Sequence, residues 1–148
     1  MQLQGIEVTG KLFAQLSTQE LYEILKARSQ VFVVEQACLY QDLDDRDQDS
    51  LHICLRGKEG LVAYLRAFLR QGREVQVGRV LTLSRGKGYG DILLREGLAL
   101  IEEVFHPDSL YLEAQVYAQG FYERFGFEAC SEVFLEDGIP HVQMRMKW

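Results

Sequence analysis

One stretch of the chain, Val80-Leu81-Thr82-Leu83-Ser84-Arg85-Gly86-Lys87-Gly88-Tyr89-Gly90-Asp91-Ile92-Leu93-Leu94, restricts the fold more than any other. An apolar, strand-like run enters a turn built on Gly86, Gly88 and Gly90. It leaves directly into residues whose apolar members, Tyr89, Leu93, Leu100, Ile101 and Val104, recur at helical spacing. Glycines let the main chain take positive φ and approach a ligand closely, and the first turn of a helix offers unpaired N–H groups at the positive end of its dipole. Arg85 and Lys87 add charge, so the segment reads as a cradle for an anion such as a pyrophosphate. The plain alternative is a strand-to-helix turn whose glycines serve geometry alone. A dinucleotide fingerprint of the G-x-G-x-x-G type is excluded, because its third glycine would fall at Asp91. A Walker-type phosphate loop and a G-x-S-x-G nucleophile turn are also absent from the sequence.

The elements around this segment follow from local patterns. Ser17 and Glu20 make a capping box, and Leu21, Ile24, Leu25, Arg28 and Phe32 follow at helical spacing, which predicts a helix over 18–33. Residues 11–16 before it read as a first strand. Residues 41–49, dominated by aspartates, have no apolar face and read as a solvated loop, the functional alternative being an acidic rim that attracts cationic amines. A calcium loop starting at Asp45 fails, with Ser50 where the glycine belongs and Arg56 where the bidentate glutamate belongs. No metal site is expected. Residues 51–83, divided at 57–60 and 71–72, read as three antiparallel strands joined by tight turns. His106-Pro107 ends the second helix, and a strand over 110–116, a short helix over 119–125 and a hairpin of 127–135 with 141–147 complete the chain. The order predicts a mixed α/β (α+β) domain with a central sheet covered by helices.

Composition narrows the function classes. At 148 residues and 47% hydrophobic, the chain is the size of one domain, residues 1–148, that builds a core without staples. A net charge of −6 argues against nucleic acid or anionic membranes as partners and suits a cationic acceptor. Without a long apolar run or a basic-then-apolar leader, the chain reads as cytoplasmic. Cys38, Cys54 and Cys130 fit reduced thiols, with Cys54 and Cys130 read as small buried hydrophobes. His52 and His106 are assigned structural or surface roles.

Arg85, Gly88 and Gly90 match the cofactor motif of the GNAT superfamily of acetyl-CoA-dependent N-acetyltransferases, and Phe121-Tyr122-Glu123-Arg124-Phe125-Gly126-Phe127 matches its second mark. Val31-Phe32-Val33-Val34-Glu35-Gln36, Tyr40-Gln41-Asp42-Leu43-Asp44 and Glu136-Asp137-Gly138-Ile139-Pro140-His141 resemble the ElaA-like group within it. The likeness covers residues 21–146. It implies a mainly antiparallel sheet that splays between its fourth and fifth strands to admit the pantetheine arm of acetyl-CoA. It also implies direct attack of a primary amine, of a small molecule or a protein, on the thioester. Leu81, Leu83, Arg85, Gly86, Lys87, Gly88, Tyr89 and Gly90 are the cofactor-binding positions it implies, with backbone groups of Leu81 and Leu83 pairing with the arm. Tyr122 matches the general acid, against the simpler reading of a packing aromatic. For the base, Glu35, Glu113, His141 and a water chain all stay open, with His141 put forward as the catalytic candidate. The connection into Ser84 and Arg85 is shorter than is usual in this group.

Two other readings belong beside this one. Acyl-homoserine-lactone synthases share the fold and an Arg-x-x-x-Phe pattern like Arg28 and Phe32, but lack the compact glycine cradle. A non-catalytic module that senses acetyl-CoA or holds a partner is the alternative function. The last strands offer an edge for a homodimer.

Overall fold

The computed structural model describes residues 2–3, 5–37 and 40–148. Strands β1 (Gln2–Leu3), β2 (Ile6–Leu12), β3 (Leu51–Gly57), β4 (Gly60–Gln71), β5 (Glu74–Thr82), β6 (Ser109–Gln115), β7 (Glu128–Ala129), β8 (Phe134–Glu136) and β9 (Ile139–Lys147) form one sheet. Helices α1 (Thr18–Arg28), α2 (Tyr89–Phe105) and α3 (Gln119–Glu123) complete the fold. β1 to β5 pair antiparallel in order. The α2 crossover makes β6 parallel to β5, and β9 lies antiparallel beside β6, with β7 and β8 along its far side. The expected mixed, mainly antiparallel sheet flanked by helices is therefore present.

Strand alternation divides the interior into two layers. Leu51, Ile53 and Leu55 of β3 pack with Leu93, Leu94 and Ile101 of α2, whereas Cys54 between them packs with Ile24 and Ala27 of α1. Helix α2 approaches closely because Gly97 has no side chain: a Cβ there would lie 3.2 Å from a Leu65 methyl and 3.6 Å from one of Ile53. Gly97→Val is expected to cost about 1–3 kcal/mol by overpacking. The urea midpoint measures it, and an unshifted midpoint would refute the tight approach.

The splay expected between the fourth and fifth strands of the sequence reading falls between β5 and β6. Their pairing stops after Glu74↔Ser109, Val75↔Leu110 and Gln76↔Tyr111, although both strands run on. A bulge accompanies the parting. The β4–β5 register passes from Tyr64↔Leu81 to Arg66↔Gly78, which places an extra residue on β5, and Arg79 within it has φ 51°. Such an insertion bends its strand, here at the point where β6 is left behind.

Several local expectations need correction. The strand expected over 11–16 is instead β2, Ile6–Leu12, with Ile6 and Val8 buried, and residues Phe13–Gln15 form a 3-10 turn. The helix starts at Thr18 on the predicted capping box, with Ser17 Oγ accepting from the Glu20 amide at 3.0 Å, but widens into a π-helical turn over Ser29–Glu35. The last hairpin carries two short strands on β9 in place of one. Cys54 is buried, and burial pushes its thiol up to about 11; Cys130 is exposed, because it lies in the break between β7 and β8. Cys38 lies outside the described residues. No described helix is long and apolar enough to cross a membrane.

The largest correction concerns the aspartate-rich loop, which is mostly exposed as expected but is anchored inward through Asp42, Asp44 and Asp47. Arg28, on the inward stripe of α1 and wholly buried, bonds Asp42 at 2.9 Å and Asp47 at 2.7 Å. Arg66 of β4 bonds Asp44 at 2.8 Å and Asp47 at 2.9 Å, and Arg79 bonds Asp42 at 2.8 Å. Buried charge persists only when paired, so the carboxylates of Asp42, Asp44 and Asp47 turn inward to meet the arginines. His52 is buried beside them, with Nδ1 2.7 Å from the Tyr64 hydroxyl and Nε2 2.9 Å from the Asp47 carbonyl. It is structural, as expected, but it has partners.

Candidate active site

The parting of β5 and β6 opens a cleft of about 980 Å³. At one end lies the glycine turn. Gly86 and Gly88 have φ 74° and 75°, and a Cβ on either would meet no atom within 4 Å, so both border open space. Gly88 is also the N-cap of α2, without a side-chain cap, and the Ile92 amide, at 3.3 Å from its carbonyl, makes the first bond of the helix. The amides of Tyr89, Gly90 and Asp91 therefore have no intrahelical acceptor. A Cβ on Gly90 would lie 3.4 Å from the Phe121 ring, so glycine there seats α3 against the turn. Ser84 and Arg85 line the cleft despite the short connection, and Lys87 is exposed beside it.

The backbone of β5 corrects the pairing expected at Leu81 and Leu83. The Leu83 amide donates to the Val62 carbonyl at 2.8 Å, so it faces β4. Leu81, two residues earlier, is paired with Tyr64 and faces the same way, while its side chain packs under α1. Backbone groups alternate along a strand, so those of Thr82 are the ones turned toward the gap. The extra residue of the bulge sets this parity.

Tyr122, 8% exposed, sits at the cleft in an aromatic seat, with its ring 5.1 Å from that of Phe121 and 6.1 Å from that of Phe127 in edge-on contact. Burial, and secondarily the neighbouring Tyr117, pushes its phenol well above the usual tyrosine value.

His141 on β9 lines the same cleft and is 7% exposed. Its Nδ1 lies 2.7 Å from the Ile139 carbonyl. A carbonyl only accepts, so Nδ1 carries a hydrogen and the neutral ring has its lone pair on Nε2. Glu35, on the π-helical turn, and Glu113, on β6, line the cleft as well, so the three sequence candidates for a base share one cavity.

Sequence reasoning missed Glu136 and Tyr111. Glu136 Oε2 lies 3.7 Å from His141 Nε2, and the Glu136 carboxyl neighbours that of Glu113, which accepts from the Tyr111 hydroxyl at 2.8 Å. Burial, then the Glu113 carboxyl, raises the Glu136 carboxyl above its ordinary value. The only signal was its place at the head of the Glu136-to-His141 run, where it read as a turn residue. The aspartate–arginine layer reaches the cleft through Asp44, Arg66 and Arg79.

Comparison with known proteins agrees with this architecture. An acetyltransferase (GNAT) domain model matches residues 11–148. The chain is 40% identical over 149 residues to a UPF0039 protein of Schizosaccharomyces pombe, covering 98% of this chain and 99% of that one. It is similar to the crystal structure of Escherichia coli ElaA, with TM-score 0.89 and 38% identity over 96% of this chain and 99% of the other. A crystal structure of an acyl-CoA N-acyltransferase from Pseudomonas aeruginosa gives TM-score 0.89 and 40% identity over 95% and 99%. With its glycine turn at the head of α2 and its sheet parted between β5 and β6, the chain belongs to the GNAT acetyltransferase family.

Proposed function

We propose that this chain is an acetyl-CoA-dependent N-acetyltransferase acting on a primary amine. The observation that carries the reading is the continuity of one cleft from the glycine turn, through the β5–β6 gap, to Tyr122 and His141. The turn suits the pyrophosphate of the donor: two glycines at positive φ border open space, helix amides are unpaired, and Arg85 lies alongside. Lys87 adds charge from the surface, and backbone groups of Thr82 turn toward the gap, where an extended arm pairs as a strand would. The naming of the Pseudomonas aeruginosa relative as an acyl-CoA N-acyltransferase supports the same donor class.

When bound, acetyl-CoA supplies an activated thioester carbonyl. The remaining chemistry belongs to side chains of this chain. His141, its Nδ1–H fixed on the Ile139 carbonyl, presents Nε2 to take a proton from the acceptor ammonium, so that a neutral amine attacks. Tyr122 keeps its proton at neutral pH and donates a hydrogen bond to charge developing on the leaving sulfur. The aromatic seat of Tyr122 and the closure of Gly90 on Phe121 limit water at that point.

Calorimetric titration with acetyl-CoA, against CoA and ATP, followed by an amine screen read by thiol release, tests the reading. Selective binding of CoA species with amine-dependent thiol release is the expected result. The absence of acetyl-CoA binding at millimolar concentration would sink it, and binding without turnover on any amine would favour a sensor. Gly88→Ala forces a Cβ into the open space of the turn and an L-residue into left-handed backbone. It is expected to lower stability by about 1–2 kcal/mol and acetyl-CoA affinity by about tenfold or more. Wild-type affinity in the folded variant would remove the turn from the site.

A further inference from the structure

The His141 side chain is buried except at the cleft, and its ring is oriented by the Nδ1–H bond to Ile139. Its Nε2 makes no hydrogen bond among the described residues, since 3.7 Å to Glu136 Oε2 exceeds hydrogen-bond reach. A lone pair and a carboxylate oxygen thus face one cavity side by side, without satisfying each other. Behind them Glu113 is tied to the Tyr111 hydroxyl at 2.8 Å and neighbours the Glu136 carboxyl. Tyr111 is in turn buried under two guanidiniums, Arg70 at 4.0 Å and Arg145 at 5.0 Å from its ring centre. The second carboxyl is therefore fixed in place. Among the described residues neither Glu113 nor Glu136 is paired with a lysine or arginine, although the cleft has arginines nearby. Arg66 and Arg79 are held by the aspartates of the loop.

We propose that Glu136, braced by Glu113, is a specificity-determining residue for the acceptor: it binds the ammonium group of a primary amine together with His141 Nε2. This rests on the acetyltransferase reading. An ammonium has three N–H donors, one for Nε2, one for Glu136 and one left toward the solvent side of the cleft. The proton on the first bond passes to Nε2, leaving a neutral amine and an imidazolium, and Glu136 keeps hold of a second N–H while the lone pair is released for attack. The preferred acceptor is thus a cation at neutral pH, and a hydroxyl or a tertiary amine lacks the donors to satisfy both groups. Burial, then Glu113 from β6, raises the Glu136 carboxyl, which also faces His141 from β9 and Asp137 from the turn, and a cation bound beside it favours its ionised form. Amine affinity therefore rises with pH as Glu136 ionises.

Two measurements test this separately from the acetyltransferase reading. The first follows the His141 imidazole resonances while n-butylammonium, n-butanol or tetramethylammonium is added in the absence of acetyl-CoA. The expected result is a shift with butylammonium alone, weakened about tenfold or more in Glu136→Gln and partly restored in Glu136→Asp. The second is steady-state acetyl transfer to butylamine. Glu136→Gln should raise the amine KM by about tenfold or more, leave the acetyl-CoA KM unchanged, and remove the rise of amine affinity with pH. Equal shifts with butanol, no shift with any amine, or an unchanged amine KM in Glu136→Gln would overturn the proposal. Failure of acetyl-CoA to bind, with the butylammonium shift intact, would overturn the donor assignment and leave the amine seat standing.

Discussion

Replacing Tyr122 with phenylalanine is expected to lower kcat by roughly 10²–10³-fold, with acetyl-CoA affinity held at the wild-type value. The phenol is buried, and that burial pushes its proton affinity well above that of an ordinary tyrosine. An ordinary thiol ionises near pKa ~8.5, so complete proton transfer from Tyr122 to a departing thiolate runs uphill. The productive act is a hydrogen bond that strengthens as negative charge grows on sulfur, worth little before the reaction and much during it. Phenylalanine keeps the ring contacts with Phe121 and Phe127 and removes only the donor. A transition-state donor lost in this way lowers kcat and kcat/KM together. A variant that turns over at the wild-type rate would assign the leaving-group donor elsewhere, and one that fails to bind acetyl-CoA would make Tyr122 a wall of the binding site.

How much of this was legible in the sequence depended on how local the cause was. The glycine turn could be read because its backbone demands the residue type: Gly86 and Gly88 take positive φ, and glycine is the residue that does so without strain. The Ser17–Glu20 capping box is equally local and is formed as read. The backbone direction at Leu81 and Leu83 could not be read, since it depends on one extra residue in β5. That bulge is marked by Arg79, which has no side-chain signature for positive φ. Glu136 faces His141 and Glu113 only because β8 folds onto β9 and β9 onto β6, a pairing that no short pattern encodes. The inward anchoring of Asp42, Asp44 and Asp47 could not be read for the same reason, their partners lying 14 to 37 residues away. One signal was available: Arg28 interrupts the apolar stripe of α1, and a cation pointed at the core requires buried anions to meet it.

That layer carries the largest expected effect on stability. Asp47→Asn should destabilise the fold by about 3 kcal/mol, the low end for removing one partner from a buried ion pair. Asp47 accepts from both Arg28 and Arg66, at 2.7 and 2.9 Å, and both guanidiniums are buried. Each keeps another carboxylate, Asp42 for Arg28 and Asp44 for Arg66, which limits the loss. For a chain of this size the melting temperature should fall by roughly 6–12 °C, read by calorimetry. Acid titration gives a second readout. Burial alone would raise the Asp44 and Asp47 carboxyls, but the arginines outweigh it, holding Asp47 below its ordinary value and Asp44 at about 2. A carboxyl lowered on folding stabilises the protein above its unfolded value of 3.8 and stops doing so as pH falls through the folded value. Wild-type stability should therefore drop between about pH 4 and pH 2, and the drop should be shallower in Asp47→Asn, which has one fewer such carboxyl. Identical acid slopes in the two proteins would show that Asp47 is not held ionised by Arg28 and Arg66. A melting temperature unchanged at neutral pH would show that the arginines lose nothing when the carboxylate between them is neutralised. Because Arg79 in the β5 bulge is bonded to Asp42 of the same loop, the variant should also bind acetyl-CoA more weakly. The loop that pairs with the buried arginines is also the one bonded to the bulge of β5 beside the cleft.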